Sequence, residues 1–84
     1  MREILMGQKE ILGKVFSYYM LSEEPDGACG TYGVKISDSS GDSDAVPSLT
    51  CSREQCRGLV RRLIKCAVTE ITLRDVVEDW LLRE

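Results

Sequence analysis

The sequence contains no histidine and no long apolar run, and both absences restrict what the protein can do. Histidine is the commonest acid–base group near neutral pH and the commonest metal ligand, so its absence argues against most hydrolytic schemes. No stretch approaches the roughly 20 apolar residues that span a bilayer. The apolar segment near the N-terminus is also too short for a secretory signal. We therefore expect a cytoplasmic protein that makes no membrane contact.

The chain has 84 residues and a formal net charge of -3, which predicts a single small domain over residues 1–84. A domain of this size buries only about 60% of the surface of its unfolded chain, which leaves little room for a deep catalytic cleft. Hydrophobic residues make up 43% and charged residues 30%, a balance typical of a globular protein. We expect no enzymatic activity, no cofactor and no small-molecule ligand.

Four cysteines are present, Cys29, Cys51, Cys56 and Cys66, and no two of them form a Cys-x-x-Cys pair. Their spacings of 22, 5 and 10 residues match no zinc ribbon or knuckle, so we expect reduced thiols and no metal. Cys56 falls among apolar residues and is predicted to lie in the core. Cys51 stands near a helix start, which can lower a thiol pKa, so a thiol-based redox sensor remains an alternative function.

Three segments have strand patterns, at residues 3–11, 15–22 and 31–37. In the third, apolar residues alternate with polar ones, as in a strand with one solvated face. Residues 45–49 can add only a short edge strand, because Pro47 cannot donate a ladder hydrogen bond. These segments predict a three-stranded antiparallel β-meander.

The first helix is predicted to begin at Thr50 or Ser52, and Ser52 with Gln55 fits a capping box. Apolar residues then recur at helical spacing. Gly58 interrupts this helix at a cost of about 1 kcal/mol relative to alanine. We expect Gly58 to allow close packing against this helix.

The second helix is predicted to follow Thr72 as N-cap, with Asp75 three residues on and Ile71 contacting Val76 as a hydrophobic staple. Strands followed by helices indicate an α+β fold. We expect strands within residues 1–49, helices within residues 50–83, and both helices packed on one sheet face.

Four basic residues recur at every fourth position of the first helix: Arg53, Arg57, Arg61 and Lys65. Like charges at this spacing repel each other by a few tenths of a kcal/mol per pair, so the row needs an explanation. One interpretation is a surface that binds an acidic partner, which would make the protein a protein–protein interaction or regulatory module. The other is a solvated helix face, paired with acidic residues of the second helix.

Nucleic-acid binding by the same row is a further alternative, and two features argue against it. The net charge is -3, whereas proteins dedicated to nucleic acids are usually basic. The second helix, which would enter the groove of a duplex, carries Asp75, Glu78 and Asp79 and would be repelled by phosphates.

Self-association is another expectation, because Val15, Ser17, Tyr19 and Leu21 fall on the sheet face opposite the helices. A partly apolar, uncovered sheet face in a small protein often marks an interface, here with a second copy or another protein.

A polar loop is predicted at residues 37–44, and its acidic residues invite comparison with a calcium loop. An EF-hand beginning at Asp38 would require glycine at position 43 and glutamate at position 49, where this chain has Ser43 and Leu49. We therefore predict a solvated turn here rather than a metal site.

The stretches Thr31–Ile36, Pro47–Glu54 and Val68–Leu81 together carry a resemblance. They resemble a family of short uncharacterised proteins of Gram-positive anaerobic, clostridial-type bacteria, a domain of unknown function. The resemblance covers most of the chain. It implies a bacterial cytosolic protein with no known activity, and it assigns no catalytic residue.

Overall fold

A computed structural model describes residues 2–23 and 30–83. The helix and strand content confirms the α+β prediction. Cys29 lies outside the described residues. The elements, in chain order, are the strands β1 (Arg2–Ile11), β2 (Lys14–Glu23), β3 (Thr31–Asp38) and β4 (Ser43–Thr50), then the helices α1 (Arg53–Lys65) and α2 (Leu73–Arg83).

The strands form one antiparallel sheet in the order β1-β2-β3-β4, so each strand pairs with its neighbour in sequence. The meander topology is as predicted, but the number of strands is not. The sheet has four strands, because β4 is eight residues long and pairs along β3. The predicted polar loop is also shorter, since β3 extends to Asp38 and β4 begins at Ser43.

Strand β4 accommodates Pro47 through an irregularity in its pairing with β3. Between the pairs Tyr32–Thr50 and Val34–Val46 the register shifts, so Pro47 lies where the ladder is interrupted. Gly33 lies opposite, and a Cβ atom there would overlap the Val46 carbonyl oxygen and Pro47. Because Pro47 lies where the ladder is interrupted, its lack of a backbone N–H costs no ladder hydrogen bond, and the strand continues past the proline.

Both helices pack on the same face of the sheet. Helix α1 lies across all four strands, and α2 lies against β4. Alternation along β3 is as predicted, with Val34 and Ile36 fully buried beneath the helices. The core also contains Phe16, Tyr18 and Met20 from β2, Cys56, Leu59, Val60 and Leu63 from α1, Val68, and Leu73, Val77 and Trp80 from α2.

Polar contacts fix the link between the helices. The Tyr18 hydroxyl donates to the Val68 carbonyl oxygen at 2.8 Å, so a buried strand side chain holds the segment that follows α1. Burial of the hydroxyl, with the nearby charge of Glu70, raises the pKa of Tyr18. The Lys9 ammonium donates to the Ile64 carbonyl oxygen near the end of α1 at 3.2 Å.

Both helices begin where the sequence predicts, although the predicted contacts at the start of α2 are not formed. The Ser52 hydroxyl accepts from the Gln55 backbone N–H at 3.2 Å, as expected for an N-cap. Thr72 directly precedes α2 and its carbonyl accepts from the Val76 N–H at 3.2 Å, but its hydroxyl donates to the Thr69 carbonyl oxygen at 3.5 Å and forms no hydrogen bond with Asp75. The predicted staple is absent, because Ile71 is 84% exposed. Among the described residues, no helix is long and apolar enough to cross a membrane.

Candidate interaction surface on helix α1

The four predicted basic residues lie together on the outward side of α1. Arg53, Arg57, Arg61 and Lys65 are all exposed, whereas the apolar stripe of the same helix faces the sheet. A spacing of four residues rises about 6 Å along a helix axis, so the four side chains form one continuous stripe. We call these four residues the basic row.

Gly58 lies beside the basic row, near the middle of the outward face. It is exposed, and outside the local backbone of its own helix no described atom lies within 4 Å of the place where its Cβ would stand. Close packing at Gly58 is therefore not made by the described residues of this chain. Glu54, Arg57, Gly58 and Arg61 line a shallow groove of about 230 Å³, which we call the Gly58 groove. A glycine at a polar position of an amphipathic helix was the sequence signal for this feature.

The ion pairs between described residues leave the basic row out. They join Lys35 to Glu3 at 3.0 Å, Arg74 to Asp44 at 2.9 Å and Arg83 to Asp79 at 3.2 Å. Asp79 is thus engaged within its own helix, and the interpretation of the row as paired with α2 finds no support in these contacts. Within the described residues, Glu54 is the carboxylate that shares the groove with the arginines.

The described cysteines fall into two environments. Cys56 is fully buried and donates its thiol to the Gly33 carbonyl oxygen at 3.2 Å, which confirms its place in the core. Burial raises the pKa of Cys56 to about 11, so this thiol is protonated at neutral pH. Cys51 and Cys66 are exposed free thiols. If the protein is a thiol-based redox sensor, Cys56 is therefore not its reactive thiol.

The sheet face away from the helices is partly apolar, as expected. Leu5 is 52% exposed and Val15 is 39% exposed, but Leu21 is only 3% exposed, so the expectation that this face is uncovered is wrong at Leu21. Charged groups flank this apolar patch, because the Lys35 ammonium lies 5.7 Å from the centre of the Tyr19 ring and also pairs with Glu3. The face therefore combines apolar area with a cross-strand ion pair and a cation–π contact.

Comparison with known proteins gives one result that bears on identity. No curated protein and no solved structure matches the chain. The sequence profile of a family described as "Family of unknown function (DUF6514)" matches residues 3–83, almost the whole chain. The chain therefore belongs to the family of unknown function DUF6514.

Proposed function

We propose that this protein is a non-enzymatic protein–protein interaction module, which binds an acidic protein surface through the basic row and the Gly58 groove. The observation that carries the proposal is Gly58 itself. A glycine in a helix interior lowers stability by about 1 kcal/mol relative to alanine. No described atom uses the space that it leaves. A partner protein that approaches the helix backbone closely at this position would explain why the residue is glycine.

The neighbouring arginines supply the attraction. Arg57 and Arg61 border the groove, and each guanidinium can bind a carboxylate through two parallel hydrogen bonds. Opposite charge on a partner would steer the encounter and fix its orientation. Any regulatory effect would follow from which partner occupies this face.

A protein partner fits the charge distribution better than a nucleic acid does. Glu54 lies in the groove, and α2 exposes Asp75, Glu78 and Asp79 on the helical layer of the molecule. Phosphates would be repelled by these carboxylates, whereas a protein surface can place a cation against them. Nucleic-acid binding stays an alternative that the experiment below separates.

We also propose a location for this protein in the cell. Cys51 and Cys66 are exposed free thiols, as is typical of proteins kept in a reducing compartment. We therefore assign the module to the cytoplasm and, from the resemblance described above, to Gram-positive anaerobic bacteria. A dimer formed through the uncovered sheet face would leave the basic row accessible, because the two surfaces lie on opposite sides of the sheet.

Affinity capture from nuclease-treated native lysate tests the proposal. Wild type is compared with the double variant Arg57→Glu/Arg61→Glu, and recovered proteins are identified by mass spectrometry. The matched control is Arg2→Glu/Lys14→Glu, which changes the net charge equally at two exposed strand positions. Circular dichroism checks that all three proteins are folded.

We expect a protein that wild type and the control retain and the groove variant loses by at least about tenfold, as for a charge reversal at a contact. Equal recovery by all three proteins would contradict the proposal. In a parallel capture from lysate that is not treated with nuclease, recovery of RNA or DNA that falls steeply with salt and is lost by the groove variant would favour the nucleic-acid alternative.

A further inference from the structure

Three carboxylates from distant parts of the chain meet at one end of the sheet. Asp38 ends β3, Asp42 lies in the turn before β4, and Glu70 lies in the link between α1 and α2. One oxygen atom from each lies within 4.8 Å of the other two. The cluster is separate from the basic row and the Gly58 groove.

Asp38 and Glu70 each have one buried carboxylate oxygen that lacks a hydrogen-bond partner among the described residues. Asp38 is only 8% exposed, and its Oδ1 accepts from the Ser40 N–H at 2.9 Å, the Ser40 hydroxyl at 2.7 Å and the Asp42 N–H at 3.1 Å. Its other oxygen, Oδ2, has no partner, and neither has Oε2 of Glu70. A buried polar atom without a partner is costly and therefore calls for an explanation.

None of the ion pairs between described residues includes a carboxylate of the cluster. Arg74, which reaches this side of the sheet, is already engaged by Asp44 through two hydrogen bonds of 2.9 and 3.0 Å. The cluster thus concentrates negative charge that the described ion pairs do not compensate.

We propose that Asp38, Asp42 and Glu70 bind one Ca²⁺ ion. Calcium takes six to eight oxygen ligands at about 2.3–2.6 Å, so two oxygens on the same ion lie up to about 5 Å apart. The oxygens of the cluster satisfy this limit. Mg²⁺ demands near-ideal octahedral geometry at about 2.0–2.1 Å, whereas the flexible coordination of Ca²⁺ suits three carboxylates that come from separate elements, which makes calcium the better fit. Asp42 is exposed, so water can supply the remaining ligands.

The site is not an EF-hand, which explains why the sequence pattern fails. Asp38 and Asp42 are local, as in a calcium loop, but the third carboxylate comes from Glu70, 32 residues after Asp38. A bound ion would join the β3–β4 turn to the link that precedes α2. It would therefore stabilise the docking of the helical layer on the sheet.

Thermal unfolding and calorimetric titration with CaCl₂ test the proposal directly. Wild type is compared with Glu70→Gln, which removes a ligand charge at nearly constant shape. The matched control is Glu10→Gln, the same chemical change at an exposed position of β1. Asp42→Asn is a second ligand variant, chosen because the exposed Asp42 side chain contributes little to the core. KCl and MgCl₂ at equal ionic strength serve as salt controls.

For wild type and Glu10→Gln we expect one saturable Ca²⁺ site. At ten times the dissociation constant, Tm should rise by roughly 5–10 °C. Both ligand variants should lose at least about tenfold in affinity. In EDTA, Glu70→Gln should be at least as stable as wild type, because it relieves repulsion between facing carboxylates.

Absence of saturable Ca²⁺ binding by wild type, or a Tm response no larger than that to KCl, would overturn the proposal. Equal affinity for Mg²⁺ would overturn the assignment to calcium. A Tm that depends on pH but not on Ca²⁺ would indicate instead that Asp38 and Glu70 share a proton.

Discussion

Replacing Gly58 by alanine should make the protein more stable and at the same time a poorer binder. Outside the local backbone of helix α1, no described atom lies within 4 Å of the new methyl group, and Gly58 lies within this helix, so alanine fits without strain. The substitution removes conformational freedom from the unfolded chain and raises helix propensity, which is worth about 0.5–1 kcal/mol. For a domain of this size, that gain corresponds to a rise in Tm of about 2–8 °C.

The stability half of this prediction is measured by thermal and urea unfolding followed by circular dichroism. An unchanged urea m-value would show that the gain is one of stability and not of altered compactness. The control is Glu78→Ala, at an exposed position of the other helix, which should change stability by no more than about 0.5 kcal/mol. A fall in the Tm of Gly58→Ala would refute the reasoning, because it would mean that something packs against this glycine.

The binding half uses the capture experiment described above. The methyl group of Gly58→Ala would occupy the groove between Arg57 and Arg61 and hold a partner away from the helix backbone. We expect weaker capture of the partner despite the higher stability, while Glu78→Ala captures it as wild type does. Undiminished capture by the stabilised variant would separate the groove from binding and leave the glycine without a role.

Two further predictions concern buried positions. With a pKa of about 11, the buried Cys56 thiol should resist maleimide labelling at pH 8 until the protein is unfolded, while Cys51 and Cys66 react in the native state. Peptide mapping of the labelled protein measures this difference. Native-state labelling of Cys56 at the rate of Cys51 would contradict its burial. Gly33→Ala should lower the free energy of unfolding by more than about 2 kcal/mol in urea denaturation, because the added Cβ overlaps the Val46 carbonyl oxygen; wild-type stability would show that β4 does not approach Gly33 as described.

The sequence correctly predicted those features that depend on interactions between residues close in sequence. Apolar alternation placed Val34 and Ile36 on the buried face, and Ser52 marked the start of α1 because an N-cap is decided within three residues. The length of β4 was underestimated, since Pro47 is tolerated only because Gly33, distant in sequence, lies opposite it. That compensation is a tertiary contact between residues distant in sequence, and no pattern within residues 45–49 reveals it.

The candidate sites divide in the same way. Helical spacing alone predicted that Arg53, Arg57, Arg61 and Lys65 share a face, and the fold brings them together on it. The carboxylate cluster could not be predicted, because the link between α1 and α2 is brought to the β3–β4 turn only by packing of the helices on the sheet.

The two sides of the sheet differ in how their charged groups are compensated, and this difference indicates where function lies. On the uncovered face, the Lys35 ammonium pairs with Glu3 and lies over the Tyr19 ring. The charges of Lys35 and Glu3 are therefore compensated within the protein. The helical side carries like charges in a row without described ion pairs, an unpacked helix glycine, and facing carboxylates with unpartnered oxygens. Each of these lowers the stability of the isolated chain, and sequences depart from locally stable choices mainly at functional sites. A bound partner at Gly58 and a bound cation at Asp38 would each remove one of these departures, which is why the helical side is where ligands should be sought first.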